Sequence, residues 1–243
     1  MPVTDLDSRV RALALQLGAD FCGVADLTAV QDQVQRQGGT LVSGYPRAVS
    51  VGVALLHALV DQLPDHRDPL VAAAYRHHGY DVVNLRLDQL AARLASALQA
   101  AGHRALPIAA SQQADPERLC AVFSHRLAAH QAGMGWIGRS CALVTPQVGP
   151  RARWATVLTD APLQPGTPMD VRCGECRACV EACPAGAISG QAFRADQPRE
   201  ARLDAPACRR YQEEVKAAIG LPVCGMCLYA CPHGRQAPSR EPA

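Results

Sequence analysis

The sequence is poor in aromatic residues, which make up only 4% of its 243 residues. Hydrophobic residues make up 49%, so a sizeable core is possible, but Leu, Val and Ala must fill it. The formal net charge is +2, which argues against a broad electrostatic surface for nucleic acid. No apolar run approaches the roughly 18 residues of a membrane span, and the first residues lack the basic and apolar regions of a signal peptide. We therefore expect a cytoplasmic protein with no membrane partner.

Cysteine, by contrast, is plentiful, and eight of the eleven cysteines lie after residue 172. The run Cys173–Pro184 has the spacing C-x2-C-x2-C-x3-C-P, which bacterial ferredoxins use to hold [4Fe–4S] clusters. In two-cluster ferredoxins the fourth cysteine of such a run binds the other cluster. We therefore predict one cluster on Cys173, Cys176, Cys179 and Cys231, and a second on Cys183, Cys208, Cys224 and Cys227.

C-x2-C pairs also form zinc sites and disulfides, which is the alternative interpretation of these cysteines. Two four-cysteine zinc sites would fit the count, but they explain neither the spacing nor the two Cys-Pro endings. Cys22, Cys120 and Cys141 are scattered, and we expect them to be buried small hydrophobic residues.

Hydrophobic periodicity and turn residues predict a mixed α/β or α+β fold. Thr4 is the predicted cap of the first helix. We predict helices over residues 4–17, 27–37, 69–78, 81–101 and 116–132. Strands are predicted over 21–25, 48–56 and 104–109, with a hairpin formed by 140–145 and 153–159. The predicted domains are an α/β cofactor or substrate domain (1–163), a ferredoxin-like double-cluster domain (164–235) and a tail (236–243).

The segment Gly133-Met-Gly-Trp-Ile-Gly-Arg-Ser140, followed by Gly149, by Val157–Leu163 and by the two cysteine runs, resembles the core of epoxyqueuosine reductases and of reductive dehalogenases. The resemblance implies two [4Fe–4S] clusters beside a cobalamin, and an N-terminal domain akin to nitroreductase-like corrinoid-processing proteins. It also implies that electrons pass from a flavodoxin- or ferredoxin-type donor through the clusters to the cobalamin. The substrate would then be a small molecule or a corrinoid.

Two departures from that family change the expected substrate. The tRNA-modifying members continue past the last cysteine run with helical repeats, whereas this sequence stops twelve residues after Cys231. Those members also carry a proton-donating Asp before the Gly-Trp loop, where this chain reads Leu119-Cys-Ala-Val-Phe-Ser-His-Arg126. We therefore do not expect tRNA as a partner, and we expect a different or smaller substrate.

Candidate site residues outside the cysteines are of two kinds. The first kind could let a flat macrocycle approach the backbone, although a tight turn with Trp136 in the core would need the same glycines; they are Gly133, Gly135, Trp136, Ile137, Gly138 and Ser140. The catalytic candidates are His125, a possible proton donor near neutral pH, Asp115, which precedes Pro116 as a helix cap would, and Tyr75. Tyr75 could line a pocket or lie at the surface. Tyr211 is expected to pack on a cluster.

The sequence supports three hypotheses about function. The first is an iron–sulfur oxidoreductase whose N-terminal domain holds a cofactor, by resemblance cobalamin, and reduces a small substrate. The second is an electron-transfer protein that docks a partner and does no chemistry of its own. The third is a protein that reduces or activates a corrinoid held by another protein.

Overall fold

The computed structural model describes residues 5–235, so the predicted cap Thr4 and the predicted tail 236–243 lie outside the described residues. In this part of the chain the α-helices are α1 (Asp5–Gln16), α2 (Gln31–Gly38), α3 (His57–Val60), α4 (Pro69–Arg76), α5 (Val83–Ala100), α6 (His125–Gln131), α7 (Ala178–Glu181), α8 (Ala205–Ile219) and α9 (Met226–Tyr229). The strands are β1 (Phe21–Asp26), β2 (Arg47–Ala54), β3 (Ala105–Ile108), β4 (Trp136–Ile137), β5 (Leu143–Val144) and β6 (Ala152–Thr159).

A four-stranded antiparallel sheet with the order β1-β2-β6-β3 forms the centre of the fold. Val49, Val51 and Val53 alternate along β2 and pack with the leucines of α5 on one face of the sheet. Ala48, on the other face, packs with residues of α2 and α6. Because both faces are covered, the interior of β2 is buried throughout, and the mixed helix and sheet class predicted from the sequence is confirmed.

The cysteine-rich segment packs into the same core. Val223 is buried with the residues of α5, and Leu221, Leu228 and Tyr229 pack against that cluster. Helix α8 begins after Asp204, whose side chain accepts a hydrogen bond from the backbone N–H of Ala207. The cysteines of this segment are therefore held against the central sheet and its helices, and the predicted division at residue 163 stays a prediction.

Two predicted elements are wrong. The helix expected over 116–132 is helical only over α6, because backbone hydrogen bonds between Asp115 and Cys120 close the preceding residues into a turn. Within this turn Oδ1 of Asp115 accepts hydrogen bonds from the N–H groups of Glu117 and Arg118. The expected hairpin does not form either. Strand β5 pairs with β4, whereas β6 lies between β2 and β3 in the sheet.

The helices predicted over 69–78 and 81–101 join into one continuous helical segment. A π-helical turn, His77–Val82, connects α4 to α5 and lets the chain continue through Gly79. Asp68 caps the start of α4 by accepting from the N–H groups of Leu70 and Val71. Within the described chain 5–235, no helix has both the length and the apolar character that crossing a membrane requires.

Candidate cluster sites and the adjoining cavity

Four cysteines predicted to share a cluster, here called the first thiol set (Cys173, Cys176, Cys179 and Cys231), are neighbours in the fold. The pKa of Cys231 is raised to about 11, mainly by burial, with smaller upward contributions from the nearby thiols of Cys173, Cys179 and Cys176. Burial also raises the pKa of Cys179, with added contributions from Cys173 and Cys176. Cys231 therefore lies with the first cysteine run although it is 48 residues beyond Cys183 (231 − 183).

The other four cysteines, the second thiol set (Cys183, Cys208, Cys224 and Cys227), line one cavity of about 330 Å³, which we call the central cavity. Burial raises the pKa of Cys227 to about 12, followed by the effects of Cys224, Cys208, Cys183 and, last, Cys179 of the first set. The two sets thus lie side by side, and only the second borders the central cavity.

Several N–H groups point at these sulfur atoms. The indole Nε1–H of Trp136 donates to Sγ of Cys173 over 3.4 Å. In the second set, the backbone N–H of Ala187 donates to Sγ of Cys183 over 3.4 Å, and Nε2 of Gln212 donates to Sγ of Cys208 over 3.7 Å. Such bonds favour a thiolate and tune the potential of a cluster that the thiolate binds.

Tyr211 lies one helical turn after Cys208 and lines the central cavity. Its hydroxyl group is 2.7 Å from Nε2 of His66 and accepts a hydrogen bond from Nε of Arg67 over 3.3 Å. His66 is buried, and its Nδ1 is 2.9 Å from the carbonyl oxygen of Leu63. These contacts fix α8, and with it Cys208, against the loop that precedes α4.

Tyr75 also lines the central cavity and is 2% exposed. Burial, followed by the neighbouring Tyr80, raises the pKa of its phenol far above the usual value, so the hydroxyl stays protonated at neutral pH. Gly225 lies close to it, since a Cβ placed at Gly225 would be 3.5 Å from the Tyr75 hydroxyl and 2.8 Å from Leu63. Tyr75 is therefore a proton-bearing group next to the loop that carries Cys224.

His125 also borders the central cavity, but both of its ring nitrogens are engaged. Nδ1 is 2.8 Å from Oγ1 of Thr156, and Nε2 is 2.9 Å from the carbonyl oxygen of Ala109. Burial lowers the pKa of His125 to about 4, which leaves the ring neutral at pH 7. These contacts favour a structural role over proton donation.

The remaining candidates lie elsewhere. Asp115 forms the turn described above and does not line the central cavity. Of the six residues proposed for the Gly-Trp loop, Ser140 alone lines that cavity. Trp136 is 1% exposed and faces Cys173, and a Cβ at Gly135 would lie 2.3 Å from the carbonyl oxygen of Val144. The glycines thus allow close packing against β5 beside the first thiol set.

Two arginines of the central cavity were not singled out from the sequence. Arg153 donates from Nε to Asn84 over 2.7 Å and lies over the ring of Tyr80, with 4.2 Å from its Cζ to the ring centroid. Arg126 donates to the carbonyl oxygen of Cys141 over 2.9 Å. Its side chain is exposed and borders the cavity. Their positions on β6 and α6 gave no sequence signal, since neither belongs to a motif.

The cavity can be tested against the groups that the resemblance implies. Four thiols around one space fit a [4Fe–4S] cluster, which thiolates bind. A whole corrinoid would not be enclosed by this cavity. Pockets of roughly 300–1,000 Å³ enclose drug-sized ligands, and a corrinoid is larger than such ligands. The central cavity measures about 330 Å³, and the cluster would occupy part of that volume. In its observed shape the central cavity has room for a small molecule beside the second thiol set.

Comparison with known proteins agrees with the cysteine pattern. Residues 172–234 match the family model described as a 4Fe-4S double cluster binding domain. The epoxyqueuosine reductase of Listeria monocytogenes serovar 1/2a is 30% identical over 117 residues, which are 44% of this chain and 28% of that protein. That of Synechococcus sp. (strain CC9605) is 29% identical over 236 residues, which are 92% of this chain and 67% of that protein.

A solved structure shares the fold. The catabolic reductive dehalogenase NpRdhA matches with a TM-score of 0.67 at 21% identity, over 93% of this chain and 32% of that one. At this identity the likeness concerns the fold alone. The match to the first curated relatives spans only 28% to 30% of their length.

Proposed function

We propose that this chain, a homologue of the epoxyqueuosine reductases with a double-cluster domain, is an iron–sulfur oxidoreductase that reduces a small molecule in the central cavity. The observation that carries the proposal is the shared lining of that cavity. The four thiols of the second set border the same space as the phenol of Tyr75 and the guanidinium groups of Arg126 and Arg153. A redox centre, a proton source and positive charge would thus meet at one bound ligand.

The assignment of each cysteine to a cluster is part of the proposal. In the described residues 5–235, no three His, Cys, Asp or Glu side chains are placed to bind one metal ion, whereas each cysteine of a [4Fe–4S] cluster binds a separate iron atom. We therefore assign ligands from the cysteine spacing and from which thiols affect one another's pKa. On this basis the first thiol set holds the cluster next to an external donor of flavodoxin or ferredoxin type, and the second set holds the cluster next to the ligand.

The residues of the cavity have distinct proposed roles. Bound clusters would supply electrons one at a time from the side of the second thiol set. Tyr75 keeps its proton at neutral pH and can donate it to a ligand atom as negative charge develops there. Arg126 and Arg153 stabilise that developing charge, because both are positively charged and border the same space.

The resemblance implies cobalamin as the electron acceptor, and bound cobalamin can be detected by its absorbance spectrum. The volume of the central cavity favours direct reduction of a small ligand, and we derive no step through a corrinoid. The same volume limits the proposed substrate to a small molecule, because a cavity of about 330 Å³ cannot enclose a nucleic acid stem.

The test starts from anaerobic purification, with iron and sulfide analysis and an absorbance spectrum for bound cobalamin. The reduced protein is then mixed with a panel of small electron acceptors, and turnover is compared between the wild type, Tyr75→Phe and Tyr45→Phe. Tyr45 is a matched control, because it is also buried but lies in the core formed with α6. We expect Tyr75→Phe to lower turnover at least tenfold with iron content unchanged, and Tyr45→Phe to have no effect.

Other outcomes would contradict the proposal. Equal turnover in the wild type and Tyr75→Phe would remove the phenol from the mechanism. Full clusters with no reduction of any small acceptor, but rapid exchange of electrons with a redox protein, would favour the electron-transfer hypothesis. Cobalamin retained through purification would show that the cavity opens further than the structure describes.

A further inference from the structure

A second cavity, of about 230 Å³, lies on the other side of His125 and Arg126 from the central cavity. Four arginines border it, and we call it the arginine cavity: Arg118, Arg126, Arg199 and Arg202. Phe123, Ile137 and Phe193 form its apolar walls. These residues come from separate parts of the chain, so their convergence is a property of the fold.

Arg202 is a buried arginine of this cavity with hydrogen-bond donors left unpaired within residues 5–235. It is 5% exposed, and its Nε and Nη1 atoms are buried with no hydrogen-bond partner among the described residues. One face of the guanidinium lies over the ring of Phe193, with 4.8 Å from Cζ to the centroid. A buried guanidinium with unused donors is costly, and proteins normally pair it with an anion.

The acidic side chains around the arginine cavity do not balance its charge. Glu200 is 3.6 Å from Arg118 and 3.2 Å from Arg199, and it is shared between them. For Arg126 and Arg202, no carboxylate in the described part of the chain lies within ion-pair distance. His125 borders the space as well but is neutral at pH 7. Four positive charges therefore face one carboxylate.

We propose that the arginine cavity binds the phosphate group of a small molecule. Guanidinium groups donate N–H bonds to phosphate oxygens, and four of them line the arginine cavity. A doubly charged phosphate matches the excess of positive charge better than a single carboxylate does. The volume of about 230 Å³ admits a phosphate group and a few attached atoms.

The test of this site does not depend on electron transfer, so it can fail without the reductase proposal failing, although Arg126 borders both cavities. The binding of inorganic phosphate to the cluster-loaded protein is measured by isothermal titration calorimetry, with methyl phosphate and acetate as further probes. We expect saturable binding of phosphate and at least tenfold weaker binding of acetate. Tighter binding of methyl phosphate would identify an ester as the natural source, and tighter binding of inorganic phosphate would identify the free ion.

Variants separate the arginine cavity from other basic sites. Arg202→Met should weaken phosphate binding at least tenfold, and Arg118→Gln, at the exposed rim, should weaken it two- to fivefold. Arg194→Gln is the matched control, because Arg194 is exposed and pairs with Asp196 outside the cavity. Absence of saturable phosphate binding, equal affinity in Arg202→Met, or equal affinity for acetate would each overturn the proposal.

Thermal unfolding gives a second readout if Arg202→Met folds poorly. Phosphate should raise the unfolding temperature of the wild type and of Arg194→Gln, because a ligand that binds only the folded state stabilises it. The same addition should leave Arg202→Met unchanged and should act less on Arg118→Gln. An equal phosphate-dependent rise in the wild type and Arg118→Gln would contradict the site even without the Arg202 variant.

Discussion

The indole N–H of Trp136 donates a hydrogen bond to the sulfur of Cys173, with 3.4 Å between Nε1 and Sγ. The indole is otherwise enclosed, with the ring of His233 5.0 Å away in an edge contact and Arg172 at 5.9 Å from its centroid. The Gly-Trp loop, which the sequence suggested for a cofactor, thus acts on the first thiol set. This relationship gives the first of four predictions.

Trp136→Phe removes the hydrogen bond but keeps an aromatic ring in place. Hydrogen bonds to cluster sulfurs favour the reduced state, so we expect the reduction potential of the first cluster to become more negative. The reduction potential of the second cluster should not change. A bond that contributes about 1 kcal/mol to the reduced state corresponds to about 40 mV for one electron. A redox titration followed by electron paramagnetic resonance would measure it. Equal potentials in both proteins would show that the bond does not act on the cluster.

Cys183→Ala should damage the second cluster, although Cys183 ends the first cysteine run. The reason is that Cys183 lies with Cys208, Cys224 and Cys227 around the central cavity. Iron analysis and the spectrum of the remaining cluster would distinguish the two sets. Cys22→Ala serves as the control and should keep all iron, since Cys22 lies on β1, next to Arg11 of α1, and belongs to neither thiol set. Loss of only the first cluster from Cys183→Ala would refute the assignment.

Gly149→Ala should displace the turn that follows Cys231. Gly149 has φ +58°, and a Cβ there would lie 2.4 Å from the backbone nitrogen of Gly234. Left-handed strain and overpacking together should cost about 2–5 kcal/mol and release iron from the first cluster. Gly39→Ala is the control for backbone strain alone, because Gly39 has φ +64° and ψ −151°, which essentially only Gly adopts, and no atom within 4 Å of the added Cβ. It should cost about 1–3 kcal/mol and keep its iron; similar iron loss in both variants would contradict the packing argument.

His125 should make folding stability depend on pH. Its pKa is lowered from 6.5 to about 4 in the folded protein, chiefly by burial. The unfolded chain therefore binds a proton that the folded one does not, and the free energy of unfolding falls as the pH drops from about 6.5 towards 4. The full loss is about 3.4 kcal/mol.

Denaturant unfolding at several pH values would measure this loss in the wild type and in His125→Gln. The variant should be less stable at pH 7.5 but should show a shallower decline with acid. His77→Gln, at an exposed position, should keep the slope of the wild type. Parallel declines in the wild type and His125→Gln would assign the acid sensitivity to another group.

Local patterns predicted the elements that depend on local physics. The first helix, the strand at Phe21 and the long α5 helix follow from periodicity, and they lie within a few residues of the predicted bounds. The segment after Asp115 was mispredicted, because an aspartate before Pro makes the same hydrogen bonds in a turn as at a helix start. Local sequence cannot separate the two.

Features that depend on contacts between distant segments could not be predicted from local sequence patterns. Strand β6 pairs with β2 and β3, which lie about a hundred and about fifty residues earlier, so proximity in sequence wrongly suggested a hairpin. The arginine cavity likewise gathers Arg118, Arg126 and Arg202 from separate segments, with no spacing that marks them. The cysteine spacing was informative because most ligands of a cluster lie within a few residues of one another in the sequence.

The position of Cys231 beside Cys173 has a consequence for how the protein matures. The first thiol set is closed by a residue 58 positions after its opening member (231 − 173), and the second set is complete only at Cys227. A nascent chain on the ribosome therefore has neither group of four until its final cysteines have emerged. All four strands of the central sheet, the last of which ends at Thr159, are therefore synthesised before either set of four cysteines is complete.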